Sequence, residues 1–231
     1  AAARRRGRIA YPVQGLADVV AQLRAGLPVV VLQRLGTWPL QTWHYAVVIG
    51  YEPAPRQLLL RSGTERRLVL DQAAFKRSWA PGGEWAFVTL QPGQLPAQAD
   101  AQRYLGAVAA AEPVLTAAQR AAAYRPATAA WPALATAHFA LGNALREQRL
   151  NATAEASWRM AISLQPGHAG AINNLAELLA RAGRRREALG VLDRGLAGRL
   201  EPESLRPVLI QTRAELAGRQ SAATARSKNP R

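Results

Sequence analysis

The stretch Trp43-His44-Tyr45-Ala46-Val47-Val48-Ile49-Gly50-Tyr51 sets a histidine at the mouth of a hydrophobic strand that ends in Gly-Tyr. A histidine there presents its imidazole at the rim of a sheet, where it can exchange protons; the plainer alternative is a partly buried strand-end ring bonded to backbone. The loop before it, Gly36 to Trp43, carries Trp38 and Trp43, either as core caps or as a lip for substrate side chains. His138 and His168 read as packing and turn residues, and the three histidines lack the paired spacing of a zinc site. There is no cysteine, which excludes disulfides, thiolate metal sites and a cysteine nucleophile carried by these residues. Gly82-Gly83 reads as a turn without phosphate-loop framing. No cofactor and no metal are expected.

The elements that position His44 are short. Leu16, Val19, Val20 and Leu23 are spaced as one face of a helix that stops at Gly26 and Pro28. Val29–Leu32, Tyr45–Ile49, Leu58–Leu60, Leu68–Leu70 and Trp85–Val88 read as strands broken by Gly and Pro. Their unbroken apolar runs predict a mostly antiparallel sheet buried on both faces. Asp71 to Trp79 reads as a short helix capped by Asp71. Pro92, Gly93 and Pro96 then mark a boundary, after which the chain turns to alanine-rich helix. The division expected is residues 1–95, residues 97–218 and a disordered tail at 219–231.

The second part repeats itself: Leu141 recurs as Leu175, Gly142 as Ala176, Leu145 as Leu179, Ala154 as Ala188 and Trp158 as Leu192. Period and pattern resemble the tetratricopeptide repeat, a helix-turn-helix unit of about 34 residues. Ala154, Trp158 and Ala161 fit its second helix and Pro166 its closing proline, whereas the next copy has Gly195 for a small alanine and Leu200 for the proline. A degenerate copy precedes both, with Tyr104, Tyr124, Ala127 and Pro132 in register and Pro126 inside its second helix; Pro202 to Gly218 supplies a solvating end helix. The resemblance places Phe139, Asn143 and Arg146 on the inner helix of one unit and Asn173, Glu177 and Arg181 on that of the next. In this class that face lines a groove for a peptide, so a protein partner is expected there.

The histidine run, with the helix, the Val-Val-Val-Leu-Gln strand and the Leu-Arg-Ser-Gly-Thr-Glu hairpin around it, resembles the papain-like peptidases that process double-glycine leader peptides. With the repeats downstream, the order of parts is similar to a bacterial family that joins such a peptidase domain to C-terminal tetratricopeptide repeats. The fold implied is an α+β papain-like half-domain, mostly antiparallel sheet plus helix, followed by an all-α tetratricopeptide-repeat superhelix. The resemblance implies a cysteine peptidase acting on a peptide or protein substrate, with His44 as general base and proton donor. The Asp or Asn that orients the base in such enzymes aligns with Arg61-Ser62-Gly63. Ser62 can accept a hydrogen bond from the imidazole, and Glu65 is the nearest carboxylate; a Ser62-oriented dyad, a Glu65 that swings in and a catalytically silent fold all stay open. Cysteine and oxyanion glutamine would lie upstream of Ala1, which makes this chain the C-terminal part of such an enzyme, inactive alone. The family suggests a cell-envelope location.

The 231 residues carry 30 Lys and Arg against 15 Asp and Glu, a net charge of +15, with 49% hydrophobic residues. That is a globular composition, and no apolar run is long enough to span a bilayer. All the basic residues but Lys76 and Lys228 are arginine, clustered at Arg4-Arg5-Arg6-Gly7-Arg8 and Arg184-Arg185-Arg186. Phosphate-gripping patches look like this. No aromatic stacking surface lies within these clusters, so nucleic-acid binding ranks behind both a peptidase with a docking module and a non-catalytic repeat adaptor with a degenerate peptidase fold.

Overall fold

A computed structural model of the chain describes residues 7–36 and 39–227 and divides into two compact units, residues 1–119 and 120–231. Trp38 and the Arg4-Arg5-Arg6 cluster lie outside the described residues. In the first unit, strands β1 (Ile9–Val13), β2 (Val29–Leu35), β3 (Thr42–Glu52), β4 (Gln57–Ser62), β5 (Glu65–Asp71) and β6 (Ala86–Leu90) make one sheet in the order β1-β6-β2-β3-β4-β5. Every pairing is antiparallel. β1 has no counterpart in the sequence reading. Its run is short and holds Pro12, which cannot donate to a ladder; it is tolerated because β1 is an edge strand paired with β6 alone.

Three helices serve this sheet: α1 (Gly15–Arg24), α2 (Gln72–Trp79) and α3 (Ala101–Ala109). Asp71 caps α2, accepting from the Ala74 N–H at 2.8 Å, and Asp100 caps α3 in the same way through Arg103 N–H at 2.8 Å. Buried Gln22 of α1 donates to the Ala97 carbonyl at 2.8 Å and accepts from the Ala97 N–H at 3.0 Å. The compositional change at residues 95–97 therefore falls inside the first unit, and α3, with Tyr104 and Val108 buried, packs on β1. Burial pushes the Tyr104 phenol well above its ordinary pKa.

Burial alternates along the strands. Val29, Val31, Ala46, Val48, Leu58, Leu60, Ala86 and Val88 are buried, whereas Val30, Val47 and Phe87 are half-buried and Ile49 and Val69 exposed. The expected two-face burial is thus corrected: the helices cover one face only. Continuous apolar runs mislead here because the open face carries apolar and aromatic residues of its own.

The second unit is helical: α4 (Ala117–Ala130), which starts at the boundary, then α5 (Ala135–Glu147), α6 (Asn151–Leu164), α7 (Ala169–Arg181), α8 (Arg185–Ala197) and α9 (Arg206–Ser227). The α5–α6 hairpin, starting at Ala135 and Asn151, recurs as the α7–α8 hairpin, starting at Ala169 and Arg185, so the helices repeat at the period read in the sequence. Small residues stand where helices meet. Ala154 and Ala188 are fully buried, and a Cβ on Gly142 would lie 2.6 Å from the Trp158 ring. Gly195 departs from the alanine of the pattern because Ile172 fills the space: a Cβ there would meet its Cδ1 at 2.7 Å. α9 continues past residue 218, where the sequence suggests a tail; residues 228–231 lie outside the described residues.

The fold class read from the sequence is corrected accordingly. The chain is a helical, tetratricopeptide-repeat-like fold with a small antiparallel sheet towards its N-terminus, not a papain-like half-domain followed by a separate repeat superhelix. The physical reason lies at β1 and α3: an unforeseen edge strand extends the open sheet beyond β6, and a helix expected among the repeats packs on it and completes the sheet's core.

Arg184, first of the triple-arginine cluster, is spent internally. It binds Glu155 at 2.6 Å and Glu187 at 2.7 Å, while Arg159 binds the same two carboxylates at 2.8 and 3.1 Å. The Arg184 guanidinium holds both carboxyls below the ordinary range. His168 caps α7, its Nδ1 accepting from the Ala171 N–H at 3.3 Å, a role that requires an unprotonated nitrogen. Burial holds its pKa below the usual value, against the pull of Glu201. The unfolded state then binds the proton first, so this contribution to stability is complete above about pH 6.5 and is lost as pH falls towards the depressed folded value. Thermal melts at stepped pH should show that loss in the wild type and a shallower one in His168→Asn, which keeps a capping oxygen.

Candidate functional site

The helical unit carries a groove built from α5, α7 and α9. A cavity of about 390 Å³ is lined by Asn143, Arg146 and Glu147 of α5, Trp158 of α6, and Asn174, Glu177, Leu178 and Arg181 of α7. A second, of about 410 Å³, shares Glu177 and Arg181 and adds Arg185, Thr212 and Glu215. On α7 the lining residues 174, 177, 178 and 181 follow the stripe of one helix face.

Of the groove residues expected from the repeat pattern, Asn143, Arg146, Glu177 and Arg181 come together. Asn173 stands one position off the stripe: it donates to Glu177 at 2.9 Å and accepts from the Thr212 hydroxyl at 3.0 Å, bracing α7 against α9. Phe139 packs on the start of α7, 4.6 Å from the His168 ring and over Gly170, and lines neither cavity. Asn174 and Arg185 escaped the sequence reading. Counting back three positions from Glu177 finds Asn174, whereas Arg185 belongs to the next helix and only tertiary structure reveals it.

Asn143 is the joint of the groove. Its Oδ1 accepts from Trp158 Nε1 at 3.0 Å and from Asn174 Nδ2 at 2.9 Å, which fixes the amide orientation of both asparagines. Two of the acidic lining groups are already engaged, Glu147 by Arg120 and Glu177 by Arg181 at 3.5 Å. Arg146 has no carboxylate partner among the described residues, and Arg185 keeps its Nε and Nη2 buried without an acceptor. The groove therefore presents unspent cationic donors, the chemistry that holds carboxylates.

In the first unit, His44 shares a strand face with Ala46 and Val48 and is half-buried. Its Nε2 lies 2.9 Å from the Ser62 hydroxyl oxygen. Glu65 pairs with Ser62 across the hairpin, is exposed, and makes no hydrogen bond or ion pair among the described residues. Directly across from His44, buried Gln33 donates to Ser78 Oγ at 2.7 Å and leaves its Oε1 unpartnered. Trp43, being the next residue along the strand, points to the opposite face and does not flank the His44 ring. Among the described residues no cluster of His, Asp or Glu has the makings of a metal site, and no helix is long and apolar enough to cross a membrane.

No family model matches the sequence, and no curated protein matches it. Solved structures that resemble part of it include three TPR domains. The TPR2B domain of yeast Sti1 in its Hsp70 complex is 16% identical, covering 52% of this chain and 97% of that one, with a TM-score of 0.47. The Sgt2 TPR domain from Aspergillus fumigatus is 14% identical, covering 57% and 85%, with a TM-score of 0.48. The first TPR of Spaghetti (RPAP3), solved with an HSP90 peptide, is 15% identical, covering 52% and 89%, with a TM-score of 0.41.

Proposed function

We propose that the chain is a protein-docking adaptor whose helical groove takes an extended peptide segment bearing carboxylates. The observation that carries this reading is Arg185: two buried guanidinium nitrogens without an acceptor, beside Arg181 and Thr212 on the same cavity. A buried charged donor left unpaired is costly, and a partner carboxylate would restore its hydrogen bonds. Arg146 supplies a second cationic contact further along. Fluorescence anisotropy with a panel of acidic and matched amide peptides tests this. Arg185→Gln should weaken the best acidic peptide about 10-fold or more, the range for a hydrogen bond to a charged group. Equal binding of the amide peptides, or an affinity unmoved by Arg185→Gln, would sink the reading.

A second reading has one specific observation in its favour, the His44–Ser62 hydrogen bond. A ring that donates its Nε2–H to the Ser62 oxygen keeps Nδ1 unprotonated as a base, and in that tautomer, with Ser62 rather than Glu65 as the orienting group, the pair suits proton transfer to or from a nucleophile that this cysteine-free chain does not carry. Without that nucleophile, the chain alone is expected to leave peptides intact. The imidazole ¹⁵N signals of His44 should show the Nε2–H tautomer in the wild type and tautomer exchange in Ser62→Ala; a wild-type ring protonated at Nδ1, or identical spectra, would dismiss the reading.

A further inference from the structure

The open face of the sheet gathers aromatic rings. Trp43 and Tyr45 occupy alternate positions of β3, Trp85 immediately precedes β6 and Phe87 is its second residue; Trp43, Tyr45 and Trp85 are 55%, 63% and 43% exposed. Tyr45 and Trp85 meet at 5.7 Å with planes 59° apart, and Trp85 and Phe87 at 5.1 Å and 70°. Such tilted contacts fix the rings while leaving ring faces uncovered. Register sets Arg34 opposite Trp43 and Arg61 opposite Val47 on the same face, both exposed and neither paired with a carboxylate among the described residues. Two strand acids, Glu52 and Asp71, sit at the other end of the face, where Asp71 caps α2; Glu84, in the turn before Trp85, borders the patch.

We infer that this face binds single-stranded nucleic acid, bases stacking on the exposed rings and Arg34 and Arg61 taking flanking phosphates. The inference goes beyond the docking reading, which concerns the other unit. An apolar protein surface laid here would strip water from two guanidinium groups without supplying acceptors. A second copy would bring the same arginines together across a two-fold axis, in a chain that already carries a net charge of +15. A polyanion with flat apolar faces satisfies both the rings and the charges, and base stacking tolerates a mixture of tryptophan, tyrosine and phenylalanine. The absence of aromatics within the arginine clusters of the sequence is no obstacle, because the platform assembles from strands β2, β3, β4 and β6.

The full chain titrated with a fluorescein-labelled 20-nucleotide oligo(dT) tests this, followed by anisotropy and by tryptophan quenching between 50 and 200 mM salt. Trp43→Ala and Tyr45→Ala should each weaken binding about 5- to 150-fold, the range for one stacked base, while Tyr45→Phe keeps it. Arg61→Gln should reduce the salt slope by about 0.7, one phosphate contact on a single strand. Because net charge alone attracts polyanions, binding that survives both alanine substitutions overturns the inference. So does equal competition by a poly-glutamate peptide, tighter binding to phosphatidylserine–phosphatidylcholine vesicles, or no binding at 50 mM salt. Circular dichroism of each variant confirms its fold, and Tyr45→Phe and Arg61→Gln remain informative where an alanine variant is destabilised.

Discussion

Trp158→Ala should lower the stability of the helical unit by about 3–5 kcal/mol, the range for removing a large buried aromatic. Trp158 is 2% exposed, and two features depend on its indole. Its ring fills the space that Gly142 leaves open, with a Cβ on Gly142 lying only 2.6 Å away, so α5 and α6 approach as closely as they do because one side contributes no side chain. Its Nε1–H donates to Asn143, whose other incoming hydrogen bond is from Asn174 on α7. Truncation therefore opens a cavity between α5 and α6 and unties the amide that spans two hairpins. Gly142→Ala approaches the same contact from the other side and should cost about 1–3 kcal/mol by overpacking. Denaturant melts read by far-ultraviolet circular dichroism check both. A Trp158→Ala midpoint within error of wild type would show that the α5–α6 register is wrong. The groove supplies an independent readout, since loss of the Asn143 bridge should also weaken any peptide held there.

The helical half was legible because its information is periodic. A single repeat length places Ala154 and Ala188 at close contacts, and a small residue opposite a large one, Gly142 against Trp158, survives in the sequence as a pair. The groove was partly legible for the same reason: residues on the stripe through Glu177 and Arg181 follow from helical spacing, while Asn173 and Phe139 satisfy the repeat pattern yet point into packing. Sheets lack such a ruler. A strand run reports that it is apolar but not how many faces are covered, and Val30, Val47 and Ile49 read like core although one side of the sheet is open. The unforeseen β1 depends on its edge position, which no local pattern encodes. Nor is the gathering of Trp43, Tyr45 and Trp85 visible in the chain, because Tyr45 and Trp85 are distant in sequence and meet only through the pairing of β2 with both β3 and β6.

Order in that aromatic patch rests on a tryptophan that is not part of it. Trp79, at the end of α2, is fully buried, packs on Phe75 at 5.1 Å and donates its indole N–H to the Trp85 carbonyl at 3.0 Å. The same carbonyl accepts from the Leu32 N–H at 3.1 Å, so Trp85 is pinned both to the covering helix and to β2. The turn between them is left-handed at two successive residues, Gly83 at φ 65° and Glu84 at φ 54°, and closes through Gly83 N–H to the Ala80 carbonyl at 2.9 Å. Trp79→Ala should therefore cost the sheet unit about 3–5 kcal/mol, mostly from lost packing. Trp79→Phe retains most of the buried ring and should cost less, about 1 kcal/mol of it from the lost hydrogen bond. At roughly 2–8 °C per kcal/mol the two variants separate clearly in a thermal melt. Trp85 is the internal reporter once its share of the emission from the six tryptophans is isolated by difference against the matching Trp85→Phe backgrounds: acrylamide quenching of that share should rise in Trp79→Ala more than in Trp79→Phe, because only the first frees both the helix end and the start of β6. Equal melting temperatures for the two variants would mean that packing of Trp79 contributes little, and unchanged quenching would mean that the carbonyl contact does not hold Trp85 in place.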